Sequence, residues 1–266
     1  MEGKMQINAN GIQINYELSG KDGAPVVVLS HSLGSSLAMW EPQMEPLRMH
    51  YRVLRYDTRG HGRTQAHSGP YSFDLLAEDA LALMDGLHFE KAHWVGLSMG
   101  GMIGQAMALK HPERIMSLAL CDTAAALPAD AQAVWTDRIR TAREKGLAHL
   151  VDGTMERWFT ASYLSLNPPE VRRIREIFIA TPVDGYIGCS EAIRGLDHLE
   201  RLHKIDAPTL ILVGSEDQGT PVSASEAMKE RIRNARLCVI PSAAHLSNIE
   251  QAEVFNRNLL AFLKAI

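Results

Sequence analysis

Ala92-His93-Trp94-Val95-Gly96-Leu97-Ser98-Met99-Gly100-Gly101-Met102-Ile103-Gly104-Gln105-Ala106-Met107-Ala108-Leu109 decides the architecture. A short apolar run, long enough for a strand, meets a serine set between glycines and continues into a helix-like stretch of small residues. A side chain at so tight a strand-to-helix turn is forced into a strained backbone conformation, and flanking glycines let strand and helix approach closely enough to hold it there. The pentapeptide Gly96 to Gly100 therefore reads as a nucleophile elbow, with the Ser98 hydroxyl exposed above a sheet. Gly-x-Ser-x-Gly arises by chance in roughly one chain in ten of this length, so the flanking strand and the small residues Gly101, Gly104, Ala106 and Ala108 carry the reading.

Outward from the elbow, β-rich runs alternate with amphipathic helical stretches. The runs are Gly11 to Leu18, Pro25 to Ser30, Arg52 to Tyr56, Ala92 to Gly96, Ile115 to Cys121, Thr209 to Val213 and Arg236 to Ile240. Phe73 to Leu87 puts Leu76, Ala80, Leu83 and Leu87 on one helical face, and Phe255, Leu259, Phe262 and Leu263 repeat that pattern near the C-terminus. This alternation predicts an α/β fold with a mostly parallel sheet and crossover helices. Between Cys121 and Thr209 no strand signal occurs, which predicts an inserted helical subdomain. The expected division is a core of residues 1–124 and 204–266, with a helical cap at 125–203.

The 266 residues suffice for a sizeable core, and a 46% hydrophobic share fits a globular chain. A net charge of -4 without a lysine or arginine block gives no footprint for nucleic acid or an anionic membrane. Met1 to Asn8 lacks the apolar stretch of a signal peptide, and Cys121, Cys189 and Cys238 are widely spaced, so reduced thiols in a cytoplasmic protein are expected. The sequence leaves assembly into a homo-oligomer open.

A serine hydroxyl is a poor nucleophile at neutral pH and needs a base within reach and an acid to orient that base. His245, in the small-residue loop Pro241 to Asn248 after the last strand, suits the base. Asp217, at the end of Leu210 to Val213 and followed by Gly219-Thr220-Pro221, suits the acid, with Glu216 and Asp122 as rivals. His93, His111 and His198 read as structural histidines. Oxyanion donors are expected from the amide of Met99, after the nucleophile, and from that of Leu33, in the loop Ser30 to Ser36. Gly60-His61-Gly62 lacks the third glycine of a dinucleotide loop, and no metal-ligand spacing occurs, so no cofactor is expected.

With Tyr56-Asp57-Thr58-Arg59-Gly60-His61-Gly62 matching its Asp-x-Arg-Gly-x-Gly turn, the chain resembles the α/β-hydrolase superfamily over nearly its whole length. That resemblance implies an eight-stranded sheet flanked by helices, and Ser98 at the elbow excludes the aspartate-nucleophile branch. His31-Ser32-Leu33-Gly34, the elbow segment, and Gly185 to Asp197 resemble 3-oxoadipate enol-lactonases. Those enzymes open an enol-lactone to 3-oxoadipate in the β-ketoadipate route of aromatic catabolism. The resemblance implies that role here, with Ser98, Asp217 and His245 as the triad and the amides of Leu33 and Met99 as the oxyanion hole. Two departures leave the triad untouched: Arg63-Thr64 replaces a common serine, and His31-Ser32 replaces His-Gly.

A small anionic lactone needs a cationic anchor, and the insert holds Arg138, Arg157 and Arg194 beside Trp135 and Trp158. Arg138, three residues after Trp135 on one helical face, is the leading choice, and Trp135 and Arg194 are expected to join it at the substrate. A broad carboxylesterase and a hydrolase-fold ligand receptor are the competing readings.

Overall fold

The computed structural model describes residues 5–266. The first four residues of the N-terminal stretch considered above for a leader lie outside the described residues. Eight strands form one sheet: β1 (Met5–Ala9), β2 (Ile12–Gly20), β3 (Val26–Ser30), β4 (Arg52–Tyr56), β5 (Ala92–Leu97), β6 (Ile115–Cys121), β7 (Thr209–Gly214) and β8 (Ala235–Ile240). Their order is β1-β2-β4-β3-β5-β6-β7-β8, antiparallel through the β1/β2 and β2/β4 pairs and parallel beyond.

The seven apolar runs correspond to seven of these strands, and the structure adds β1. Its burial alternates along Met5–Ala9, as a half-buried edge strand requires, and Asn10 and Gly11, both at positive φ, turn it into β2. Register does the work that matters for the site. Ser30 lies opposite Gly96, Gly96 opposite Leu120, Cys121 opposite Leu212, and Gly214 opposite Ile240. The carboxyl ends of β3, β5, β6, β7 and β8 thus share one edge, where ligands bind in open α/β sheets.

Helices α1 (Glu41–Arg48), α2 (Phe73–Gly86) and α3 (Met99–Lys110) precede β6. Close approach of α3 to the sheet is enforced by glycine: a Cβ on Gly100 would lie 2.0 Å from the Ser30 carbonyl oxygen, and one on Gly104 would lie 2.5 Å from the Trp94 ring. The Trp94 indole N–H completes the contact by donating to the Gly100 carbonyl at 3.0 Å.

Between β6 and β7 the chain builds α4 (Ala131–Lys145), α5 (Val151–Trp158), α6 (Ala161–Ser165), α7 (Pro169–Ala180) and α8 (Val183–Arg194) with no strand of the sheet. The two ends of this stretch lie side by side. There Ala126 and Asp197 form an antiparallel bridge, and the His198 amide donates to the Ala125 carbonyl at 2.8 Å. The helices also seat on the sheet domain by backbone contact, because Gly60 and Gly185 meet so closely that a Cβ on Gly185 would lie 2.0 Å from the Gly60 carbonyl oxygen. After β7 come α9 (Val222–Arg231), α10 (Ser247–Glu250) and α11 (Ala252–Leu263), the last burying Phe255, Leu259, Phe262 and Leu263. No helix among the described residues is long and apolar enough to cross a membrane.

Candidate active site

Ser98 stands between β5 and α3 with φ of 55° and ψ of -117°, a conformation that costs a non-glycine residue on the order of 1–3 kcal/mol. The surroundings hold it there. Its amide donates to the Cys121 carbonyl at 2.8 Å, and its carbonyl accepts from the Thr123 hydroxyl at 2.7 Å and from the Gly101 and Met102 amides. A Cβ on Gly96 would sit 2.1 Å from the Gly100 oxygen, so the first glycine of the pentapeptide is a steric requirement of the turn.

Ser98 and His245 border one cavity under the helical insert. His245 is buried on the loop after β8, and its Nδ1–H donates to Asp217 Oδ2 at 2.8 Å. Asp217 follows β7 and accepts three further bonds: from the Gly219 amide at 2.8 Å, the Thr220 amide at 3.0 Å and the Thr220 hydroxyl at 2.7 Å. Burial alone would push its carboxyl up, but His245 opposite and the Thr220 donors outweigh it and hold the carboxyl below the usual range. An ionised Asp217 fixes the proton on Nδ1 and leaves Nε2 as the acceptor.

The two rival acids lie elsewhere. Glu216 is exposed. Asp122 is buried at the end of β6, where it accepts from the Gly214 amide at 2.8 Å and from the Ser247 hydroxyl. Burial, aided by the charge of Asp217, pushes its carboxyl well above the usual range. Asp122 thus braces the ends of β6 and β7 against the loop carrying His245, and its hydrogen bonds do not reach the imidazole.

Leu33 borders the cavity, and the amides on either side of it are occupied: that of Ser32 by Met39 Sδ at 3.3 Å and that of Gly34 by His61 Nε2 at 2.9 Å. The Met99 amide opens α3, where the first N–H groups of a helix have no intrahelical partner. Two buried histidines shape this loop. His31 accepts from the Thr58 amide through Nε2 at 2.9 Å and donates from Nδ1 to the Ser32 carbonyl at 2.8 Å. His61 accepts from Gly34 and donates to the Arg59 carbonyl at 3.2 Å.

Both imidazoles are needed neutral. Burial, opposed by the Ser32 carbonyl, lowers His31 to about 4; burial and the neighbouring His31 lower His61 to about 3, with the Arg59 carbonyl and Asp57 opposing. In the unfolded chain each takes up a proton near 6.5, so between about 6.5 and 4 the unfolded state binds more protons and stability falls as pH is lowered. Comparison with His61→Gln cancels the carboxyl contributions. Wild type is expected to lose roughly 3 kcal/mol more than the variant between pH 6.5 and 4 in denaturant unfolding. Equal losses would show that His61 is not held neutral.

Trp135 and Arg138 of α4 and Arg157 and Trp158 of α5 also border the cavity. Arg138 lies over the Trp135 ring, 4.8 Å from its centroid, and donates to the Tyr186 hydroxyl at 2.8 Å. Arg157 donates to the Thr154 hydroxyl at 3.2 Å, and burial, then the charge of Arg138, lowers its pKa. Neither guanidinium is ion-paired among the described residues. Arg194, expected at the substrate, is placed differently: it pairs with Glu191 one turn earlier at 2.9 Å and does not border the cavity. Its place beside Arg138 is taken by Arg157. Two residues that the sequence placed near these groups take roles it did not assign: Thr220 supports Asp217, and the Trp158 ring stacks on His245 with centroids 6.4 Å apart.

A sheet of this order with a serine on its elbow marks the serine-dependent hydrolases, and a family model described as alpha/beta hydrolase fold matches residues 25–252. The chain belongs to that family. It is 35% identical to 3-oxoadipate enol-lactonase 2 of Acinetobacter baylyi, over 98% of this chain and 97% of that protein. The crystal structure of the enol-lactonase from Burkholderia xenovorans superposes with a TM-score of 0.95 at 39% identity, covering 98% of this chain and all of that one (100%). A malate-bound thermophilic esterase from Thermogutta terrifontis is 28% identical with a TM-score of 0.92, covering 99% and 98% of the two chains. These likenesses make the protein a carboxylic ester hydrolase closely related to the enol-lactonases.

Proposed function

We propose that this protein opens 3-oxoadipate enol-lactone to 3-oxoadipate through an acyl-enzyme on Ser98. The observation that carries the choice of substrate is the pair of guanidiniums, Arg138 and Arg157, that border the cavity of Ser98 and His245 without a carboxylate partner among the described residues. Cations placed together in a largely apolar cavity repel one another and lose hydration, a cost that an anionic ligand offsets. The lactone carries one carboxylate. The malate recorded with the Thermogutta esterase shows a relative holding a small carboxylate ligand.

In the proposed mechanism His245 Nε2 takes the Ser98 proton as Oγ attacks the lactone carbonyl, and the amides of Leu33 and Met99 receive the oxyanion. Collapse breaks the ring C–O bond. The enol oxygen leaves as an enolate that stays tethered to the acyl group and takes the proton from His245, giving the ketone. Water, deprotonated by the same imidazole, then releases 3-oxoadipate and restores Ser98. We assign residues 125–203 to the cap over this site, with the Ala126 and Asp197 bridge as its neck. A cytoplasmic location rests on Cys121, Cys189 and Cys238, all free thiols.

Steady-state hydrolysis of the lactone beside a neutral acetate ester tests the reading, and a preference of about 10³ in kcat/KM for the lactone is expected. Arg138→Ala and Arg157→Ala are each expected to raise KM for the lactone roughly 10- to 100-fold, as loss of a charge-assisted hydrogen bond does, and to leave the neutral ester within about 3-fold. Equal use of the neutral ester, or equal losses on both substrates, would make the protein a broad carboxylesterase. No turnover of either would point to a ligand receptor.

A further inference from the structure

Glu250 is a buried carboxylate outside the reacting groups, and every bond it accepts lies along one line between the insert and the base. Its oxygens accept from the Ala244 amide at 3.0 Å, from the Thr160 amide at 3.2 and 3.3 Å, and from the Thr160 hydroxyl. Ala244 precedes His245. Leu246, which follows it, donates from its amide to the Trp158 carbonyl at 3.0 Å. Both backbone neighbours of the base are therefore fastened to the segment from Trp158 to Thr160 at the end of α5. That segment carries the Trp158 ring stacked on His245 and directly follows Arg157, which borders the cavity.

We infer that Glu250 is a positioning residue for proton transfer: it straps the His245 loop to the end of α5, so that the imidazole reaches Ser98 only with the insert seated. The inference rests on the serine-hydrolase reading but not on the choice of the lactone. Three donors converge on two carboxylate oxygens, and glutamine in the same volume would turn its NH2 group toward one of them. The strap then loses one side without loss of bulk. A displacement of about 1 Å at a group that must meet Ser98 costs on the order of 10² in rate.

The test compares Glu250→Gln, Thr160→Val and the double variant by turnover of the neutral ester and of the lactone, expressed per active site titrated with a fluorophosphonate. For Glu250→Gln, turnover per titrated site is expected to fall roughly 10- to 100-fold on both substrates, with KM for the neutral ester within about 3-fold. The rate at which the fluorophosphonate modifies Ser98 should fall in parallel. The Thr160 hydroxyl also caps α6 by accepting from the Tyr163 amide at 3.2 Å, a loss that falls on folding rather than on turnover per titrated site. The double variant should therefore lose no more than about 3-fold per site beyond the worse single variant, because both break the Thr160–Glu250 bond.

A purely structural role would lower the fraction of sites titrated and leave turnover per site within about 2-fold, and that result would overturn the inference. Multiplying losses in the double variant would overturn it as well. If Glu250→Gln does not fold, Thr160→Val alone should lower turnover per site about 3- to 30-fold and Thr160→Ser, which keeps the hydroxyl, should restore it to within about 2-fold; an unaltered Thr160→Val refutes the strap. Lactone that goes unused while the ester is hydrolysed would defeat the substrate assignment alone, since the strap is read on the ester.

Discussion

Ser98→Ala is expected to lower kcat for the lactone by about 10⁴ or more while KM stays within about 3-fold, because in the proposed mechanism the hydroxyl is the attacking atom and contributes little to binding. The residual rate would come from the Leu33 and Met99 amides and from the bound water. Stability carries a second, separable signature. Ser98 sits at φ of 55°, which alanine shares in strain and glycine relieves. Ser98→Gly should therefore be more stable than Ser98→Ala by about 1 kcal/mol, and equally inactive. Thermal unfolding of the two variants measures this directly, and a less stable glycine variant would show that the elbow stores no strain. Turnover by Ser98→Ala within about tenfold of wild type would remove the serine mechanism altogether.

Asp217→Asn carries the second large effect, a fall of about 10⁴ in kcat with the fold retained. The Asp217 carboxylate accepts four hydrogen bonds and donates none. Asparagine must turn an NH2 group toward one of those donors. If the amide faces His245, the imidazole proton moves to Nε2 and the base points its hydrogen at Ser98. If it faces Thr220 and Gly219, buried donors lose their acceptor at about 1–3 kcal/mol in stability. Asp122→Asn is the contrast. Its hydrogen bonds come from the Gly214 amide and the Ser247 hydroxyl and none comes from His245, so kcat is expected to stay within about tenfold of wild type. Stopped assays at saturating lactone distinguish the two; an active Asp217→Asn beside an inactive Asp122→Asn would transfer the acid's role to Asp122.

The elbow was legible because part of its constraint is local: the clash that a Cβ at Gly96 would meet is with Gly100 of the same pentapeptide, whereas the one at Gly100 is with Ser30 of β3. The helical insert was legible for a similar reason, since a long interval without β-rich runs has few other readings. Strand β1 left a weaker trace. Gln6 and Asn8 dilute its apolar pattern, although Asn10-Gly11 is a strong hairpin signal in its own right. Among the arginines, residue type could not choose between Arg157 and Arg194, because both sit at helix ends in the insert. A glutamate three residues before Arg194 offered it a partner on its own helix, and the structure shows that pair formed. What brings Arg157 to the cavity is the direction of α5, fixed by packing and by the bonds from Trp158 and Thr160 to the His245 loop. Contacts that join residues nearly a hundred positions apart have no periodicity to betray them.

The register of the sheet also sets an order of events during synthesis. Ser98 lies on β5, near the middle of the sheet, whereas Asp217 and His245 follow β7 and β8 at its far edge. A growing chain therefore carries the serine long before the residues that activate it, and the insert is translated in between. Under the proposed mechanism the hydroxyl has no base until the last two strands dock beside β6. On those roles the nascent polypeptide is expected to be inert through most of its elongation, reactivity arriving only with completion of the sheet.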